Sequence, residues 1–186
     1  MAKTGRNVAV ALAVTAALMG APHASAAADG EATTSTTRIS THVRSADPSI
    51  VTLIAQATER SATFRRLVQD IDASDSYVYV NEGNCGCGVR ACFTHVTAAG
   101  SKRYMWVKVD TNKADWDLMG SIGHELRHTL EAIADPSVRS DAAKFFLYER
   151  IGRRETGRAR ETQAAADAGE SVRWEVQKFN REAKSE

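Results

Sequence analysis

The amino-acid sequence predicts an α+β fold, with an N-terminal helix, a small antiparallel sheet of about three strands, and three further helices. Three observations support this prediction. Apolar residues recur at three- and four-residue steps over residues 47–72, short runs of β-branched and aromatic residues follow over residues 76–111, and the helical spacing returns after residue 112. Helical and strand-like patterns in separate blocks are typical of the α+β class.

The N-terminal segment has the features of a secretory signal peptide. A basic start precedes an apolar run over residues 8–19, and an A-x-A arrangement ends at Ala26. We therefore expect residues 1–26 to be removed on export to the periplasm or the extracellular space. Residues 27–46 are rich in Thr, Ser and Ala without an apolar period, which predicts a flexible leader. A single domain is then expected over residues 47–186.

The composition is that of a globular protein, with 43% hydrophobic and 25% charged residues in a chain of 186. The formal net charge is +1, and it stays close to zero when Lys3 and Arg6 are removed with the signal peptide. This balance gives no electrostatic basis for binding nucleic acid or an anionic membrane. The apolar run at the N-terminus is also too short to span a bilayer, so we expect no membrane span.

Four helices are indicated by their apolar spacing and by the residues at their ends. They are predicted over residues 47–72, 114–134, 137–152 and 161–180. Aspartate or serine stands at the start of the first helix and a serine at the start of the third, where their side chains can cap the helix. The second helix must end before Pro136, because proline has no N–H to donate to the helical ladder.

Three strands are predicted in the segments "SYVYVNEG", "VRACFTHV" and "KRYMWVKVDT". Each is rich in β-branched and aromatic residues, and Gly-rich or Ala-Gly-Ser stretches between them supply turns. Because the connections are short, we expect an antiparallel meander.

The three cysteines, Cys85, Cys87 and Cys92, lie within eight residues of one another. An exported chain meets an oxidising compartment, so we expect a local disulfide to Cys92 that leaves one thiol over. The pairing stays open. A metal site formed with His95 is disfavoured, since the spacing matches no zinc-finger pattern.

The predicted second helix carries the sequence His124-Glu125-Leu126-Arg127-His128. At 100° and 1.5 Å per residue, His124 and His128 lie about 40° apart on one face and about 6 Å apart along the axis. Two imidazoles so placed can bind one Zn²⁺ ion. Glu125 lies about 100° round from His124, so it is free to act as a general base toward a zinc-activated water.

An alternative interpretation is that the histidines only complete the polar side of an amphipathic helix, whose other face is apolar. In a chain of this composition, His-Glu-x-x-His is expected by chance roughly 0.01 times, which favours a metal site. A non-catalytic secreted domain, with a structural metal or a partner-binding role, is the alternative to an enzyme.

The five-residue motif resembles that of the zincin metallopeptidases, over residues 102–174. The resemblance implies a zinc-dependent peptidase that acts on a peptide or protein substrate, with the strand "YMWVKV" in the place of the substrate-aligning edge strand. Glu131 and Ala134 stand where the metzincin pattern requires glycine and histidine, which excludes that subclass. No aspzincin motif is visible either, so a gluzincin-like third ligand from a later helix is implied.

Four glutamates are candidates for this third metal ligand: Glu131, Glu149, Glu155 and Glu161. Glu161 is preferred, because the small residues that follow it would let its helix pack closely on the motif helix. Glu131 lies on the histidine face but beyond His128, so we expect it to orient a histidine or bind an arginine. Tyr148 is a candidate for stabilising the oxyanion.

Overall fold

The computed structural model describes residues 40–86, 88–154 and 160–185. The predicted signal peptide, most of the predicted leader, Cys87 and Glu155 lie outside the described residues. The elements in chain order are β1 (Val43–Arg44), α1 (Pro48–Arg60), α2 (Ala62–Asp72), β2 (Ser76–Glu82), β3 (Ala91–Ala99), β4 (Lys102–Val109), α3 (Trp116–Ala134), α4 (Asp141–Ile151), β5 (Arg153–Arg154), β6 (Arg160–Glu161) and α5 (Gln163–Glu182). The α+β class is confirmed.

The main sheet differs from the predicted antiparallel meander. It has four strands in the order β1-β2-β4-β3, in which β2 runs parallel to β4 and only β3 is antiparallel to β4. The prediction was wrong because the segment between β2 and β3 is long enough to carry the chain past the position that β4 takes. The hairpin of β3 and β4 turns at Gly100, whose φ of 57° favours glycine.

The predicted first helix is two helices in the structure, α1 and α2. Ser61 separates them in an extended conformation, and its side chain accepts a hydrogen bond from the Phe64 N–H to cap α2. The Ser61 hydroxyl donates in turn to Glu175 on α5. The apolar spacing continues across Ser61, so it could not show the break. Asp47 caps α1 as predicted.

The last residues of the predicted leader belong to the domain. Val43 and Arg44 form β1, which pairs in parallel with β2. The Asp72 carboxylate at the end of α2 accepts hydrogen bonds from the Ser40 hydroxyl and from the His42 N–H. Residues 40–46 are therefore part of the fold, and the domain begins before the predicted boundary at residue 47.

Helix α3 forms the centre of the structure and packs against α2, α5 and strands β3 and β4. Its buried apolar face includes Leu118, Ile122 and Leu126, none of which is exposed. The crossing of α3 and α5 is close: a methyl group at Gly123 would lie 2.9 Å from the Cγ2 atom of Val172. Small residues on α5 pack against the motif helix, as predicted from the sequence.

The two C-terminal helices begin later than predicted. Residues Asp135 to Val138 form a turn closed by a 3.0 Å hydrogen bond from the Val138 N–H, so α4 is capped by Ser140 and not by Ser137. Helix α5 is capped by Thr162, and Glu161 precedes it on the short strand β6. Within the described residues, no helix has the length and apolar character that crossing a membrane requires.

Candidate metal centre and cleft

Helix α3 carries the two histidines of the candidate metal centre on one face, four residues apart. The imidazole rings of His124 and His128 lie edge to face, with centroids 4.9 Å apart. His128 is buried, at 7% exposure, with the ring of Tyr148 on α4 packed against it, whereas the His124 side chain is 19% exposed. Both rings turn their Nε2 atoms toward β6.

Glu161 on β6 completes the cluster. Its Oε2 atom lies 3.1 Å from the Nε2 atom of His124, and its Oε1 atom lies 3.2 Å from the Nε2 atom of His128. Each of the three residues offers one ligand atom, and these three atoms lie within 4.8 Å of one another. The cluster could therefore hold a metal ion. Partial burial raises the pKa of Glu161, but hydrogen bonds from both imidazoles lower that pKa well below its usual range.

Glu161 reaches the histidines from a different element than expected. The gluzincin resemblance implied a ligand from within a later helix, whereas Glu161 lies in a two-stranded sheet, where it pairs with Arg153. This placement is a correction to the prediction. The ligand position depends on the β5–β6 pairing and on the cap of α5, where the Thr162 N–H donates to the Glu161 carboxylate.

Glu131 is held behind the metal cluster and does not face it. Its Oε2 atom lies 2.9 Å from the Nδ1 atom of His128, and its Oε1 atom accepts a 2.7 Å hydrogen bond from the Thr162 hydroxyl. The Nε atom of Arg127 lies 3.8 Å from the same Oε1 atom. A carboxylate on Nδ1 fixes the tautomer that leaves Nε2 for a metal. The contact with a histidine that the sequence predicts for Glu131 is therefore present.

Glu149 contacts Arg160 instead of the histidines. The Arg160 guanidinium binds both carboxylate oxygens of Glu149, with a distance of 2.7 Å from its Nε atom to Oε1. This bidentate pair occupies Glu149 and leaves Glu161 as the candidate ligand, among the described residues.

Replacing Glu131 by alanine is expected to lower zinc affinity by about 10- to 100-fold, the usual cost of losing a partner that orients a ligand. Zinc should still bind at high concentration, because His124, His128 and Glu161 stay in place. Competition with a chromogenic chelator would measure the dissociation constant. Glu59→Ala, which removes an exposed carboxylate on α1 outside the cleft lining, is the control and should bind zinc as the unaltered protein does.

Glu125 lies beside the cluster with one carboxylate oxygen fixed. Its Oε2 atom accepts a 2.7 Å hydrogen bond from the backbone N–H of Phe93, and its Oε1 atom lies 3.8 Å from the Nε2 atom of His124. The residue is only 8% exposed. Burial raises the pKa of Glu125, against the opposing effect of the two histidines. A carboxylate so placed is a more effective proton acceptor than an exposed one.

The edge strand beside the site is β3 and not the predicted strand β4, which lies inside the sheet. The outer edge of β3 is covered by α4. The Lys144 ammonium donates to the carbonyl oxygens of Phe93 and Thr94 at 3.2 and 2.6 Å, and Asp141 accepts from the Val96 N–H at 2.7 Å. Neither Lys144 nor Asp141 could be identified from sequence, because their partners are backbone atoms distant along the chain.

A disulfide joins Cys85 to Cys92, which confirms the predicted local bridge to Cys92. It closes the loop between β2 and β3 at the start of the edge strand. Two cysteines in a disulfide offer no thiolate to a metal, and the His95 Nδ1 atom instead lies 2.5 Å from Asp141. Within the part of the chain that the structure describes, His95 belongs to no cluster of possible metal ligands.

Tyr148 is turned away from the position predicted for it. Its hydroxyl donates a 2.7 Å hydrogen bond to the backbone carbonyl of His128, and its ring lies edge-on against the imidazole of His128. Burial raises the pKa of Tyr148 above its usual value. In this conformation the hydroxyl positions α3 and is not available to an oxyanion.

The cluster opens into a cleft of about 740 Å³. The disulfide loop and the start of β3 form one wall of the cleft, and the polar face of α3 forms its floor. Residues of α4, β6 and α5 complete the lining. The lining residues are Cys85, Gly88, Val89, Arg90, Ala91, Cys92, Phe93, Asp117, Ser121, His124, Glu125, His128, Lys144, Tyr148, Arg160, Glu161 and Arg173. This volume is within the range typical of small-molecule and peptide pockets.

Ion pairs fix the start of α3 at one end of the cleft. Asp115 caps the helix by accepting from the Leu118 N–H, and it binds Arg90 at 2.7 Å and Lys113 at 2.9 Å. Burial raises the pKa of Asp115, but these cations and the cap outweigh it and lower the pKa to about 2.

This lowered pKa predicts a stability change in acid. The contribution of Asp115 is present above the ordinary aspartate pKa near 4 and is lost as the pH falls toward 2. Asp115→Asn keeps a capping oxygen but loses the charge, so at pH 6 it should be less stable by roughly 1 kcal/mol. Thermal melts should show the difference between the two proteins shrinking below about pH 4 and nearly gone at pH 2. The exposed Asp70→Asn is the control; an undiminished difference at pH 2 would exclude the charge as the cause.

Comparison of the chain with protein-family profiles, with curated proteins and with solved structures found no match. Its function is therefore inferred from the residues of the cleft and from the chemistry that their arrangement allows.

Proposed function

We propose that the chain is an exported zinc-dependent peptidase. The observation that carries the proposal is the convergence of two imidazole Nε2 atoms and a carboxylate at the side of an open cleft, with the buried Glu125 beside them. The four residues lie on two separate elements, helix α3 and strand β6, and tertiary packing brings them together.

The donor set fits zinc. Catalytic zinc sites use three protein ligands of the imidazole and carboxylate type and keep another position open, whereas structural sites are closed by four. Within the described residues, the cluster offers His124, His128 and Glu161, and it faces the cleft. This arrangement favours a catalytic role over a purely structural one. When bound, zinc would polarise a peptide carbonyl and lower the pKa of water to about 7.

Glu125 is the proposed general base. The Phe93 N–H holds one of its oxygens, so the other is directed toward the side on which His124 presents its Nε2 atom. Because the carboxylate is mostly removed from solvent, it can accept a proton from the attacking water and then return it to the leaving amine. His124, His128 and Glu161 bind the metal, and Glu131 holds His128 in the required tautomer.

Two features support action outside the cytoplasm. The first 26 residues have the pattern of a signal peptide, and the Cys85–Cys92 disulfide is typical of oxidising compartments. The disulfide also ties the wall of the cleft to the start of the edge strand, which would keep the wall in place when a substrate enters.

The proposal is tested by digesting a broad peptide library with the purified protein, with its zinc content measured in parallel. We expect cleavage that stops when zinc is removed by a chelator and returns when zinc is restored. Stoichiometric zinc without cleavage of any peptide would instead support the non-catalytic alternative, in which the metal is structural. Failure to bind zinc would contradict both.

A further inference from the structure

Arg173 on α5 enters the cleft through a gap that two glycines leave between helices. A methyl group at Gly120 on α3 would overlap the Cγ atom of Arg173, and one at Gly169 would lie 3.3 Å from its Nη1 atom. The same substitution at Gly169 would come within 3.0 Å of the Cβ atom of His124. The stem of Arg173 thus runs through the helix crossing beside a metal-ligand residue, and its guanidinium lines the cleft.

The contacts of Arg173 leave part of its guanidinium free. Its Nε atom lies 2.7 Å from Asp117, and its Nη2 atom lies 3.2 Å from the Ser121 hydroxyl. Within the described residues its Nη1 atom makes no hydrogen bond. Arg90, by contrast, is bound to Asp115, Asp117 and a backbone carbonyl. Among the described residues, Arg173 thus keeps a whole amino group, Nη1, for a ligand, whereas both Nη atoms of Arg90 are already hydrogen-bonded.

The cluster also carries an excess of positive charge. Among the described residues, its ion pairs join three cations to two carboxylates, because Asp117 is shared by Arg90 and Arg173. The third cation is Lys113, which binds Asp115. Because Arg173 shares Asp117 with Arg90, its own charge is only partly neutralised, so an incoming anion could accept a charge-assisted hydrogen bond from its Nη1 group.

The separation between Arg173 and the metal centre can be estimated from the geometry of α3. Asp117, Ser121, His124 and His128 lie on one face of α3, at intervals of three and four residues. Ser121 is about 4.5 Å from His124 along the helix axis, and Asp117 about 10 Å. Arg173 contacts both, so a group bound to it would lie about two residues of extended peptide from the His124 side of the metal centre.

We propose that Arg173 binds a carboxylate of the substrate, so that the cleft selects peptides with a carboxylate about two residues from the bond that is cleaved. This inference rests on the proposed peptidase function. The carboxylate belongs either to an acidic side chain or to the C-terminus of the peptide, and both present the same chemistry to the guanidinium.

Peptide binding to the zinc-loaded Glu125→Gln protein tests the inference without turnover. Three fluorescent peptides are compared: one with an internal glutamate and an amidated C-terminus, one with glutamine in its place, and the glutamine peptide with a free C-terminus. We expect at least one carboxylate peptide to bind about tenfold more tightly than the uncharged one. Whichever of the two carboxylate peptides binds more tightly shows whether Arg173 prefers an acidic side chain or the C-terminus.

Arg173→Gln in the same background should abolish this preference, while Arg173→Lys should keep part of it because it retains the charge. Lys178→Gln removes a cation that lies on the same helix but outside the cleft lining, and it should leave the preference unchanged. Circular dichroism checks that each variant is folded.

Equal affinity for all three peptides in the protein that retains Arg173 would contradict the inference, and so would a preference that survives in folded Arg173→Gln. The first of these comparisons needs no variant at Arg173, so it holds even if that variant does not fold. Binding is measured separately from hydrolysis, so the two proposals can fail independently. A carboxylate preference in a protein that cleaves no peptide would contradict the peptidase proposal but not the assignment of Arg173.

Discussion

Glu125→Gln is expected to lower kcat for peptide hydrolysis by about 10²- to 10⁴-fold, the usual range for losing a general base. Glutamine has nearly the same shape and can still accept a hydrogen bond from the Phe93 N–H, but it cannot take a proton from water. The zinc content should not change, since Glu125 is not among the three candidate ligands. Steady-state kinetics on a library-derived peptide, with metal analysis of the same sample, measures both quantities.

The matched control for this experiment is Glu170→Gln, an exposed glutamate on α5 that lies outside the cleft lining. It should retain full activity. If Glu125→Gln kept its activity, another group would have to accept the proton. Loss of zinc together with activity would instead show that Glu125 supports the metal site.

Glu161→Ala is expected to reduce zinc affinity by more than the 10- to 100-fold expected for Glu131→Ala, because it removes a proposed direct ligand instead of a partner of one. The purified variant should contain little zinc and have no peptidase activity. Metal analysis after dialysis against a weak chelator, followed by zinc titration, gives the stoichiometry and the dissociation constant.

Glu182→Ala, which removes a mostly exposed carboxylate near the end of α5, should bind zinc normally. The decisive comparison is with Glu131→Ala. Full zinc content in Glu161→Ala combined with loss of zinc in Glu131→Ala would make Glu131 the third ligand and overturn the assignment made from the geometry.

The parts of the structure that sequence could predict are those determined by local spacing. Helix α3 was predicted over 114–134 and is found over Trp116–Ala134, because its apolar period and Pro136 are both local signals. The local disulfide to Cys92 is likewise predictable from sequence, since the three cysteines are close together along the chain. The placement of His124 and His128 on one face follows from helix geometry alone.

The features that sequence could not predict depend on contacts between distant residues. Nothing near β2 shows that it pairs with β4, because strand order is set by packing over the whole sheet. The break at Ser61 depends partly on Glu175, which lies on the last helix. Glu161 was selected for the small residues that follow it, and these do pack on α3, but its own location on β6 depends on pairing with β5.

The helix α4 that covers the outer edge of β3 also bears on how the protein behaves at high concentration. The free edge of a sheet is a template for pairing with the same edge of another molecule, which leads to aggregation. Asp141 and Lys144 bind the backbone groups that such pairing would need, and the irregular register between Phe93 and His95 interrupts the edge further. At the opposite edge, β1 has only two residues. Both edges of the sheet are therefore poor templates for self-association.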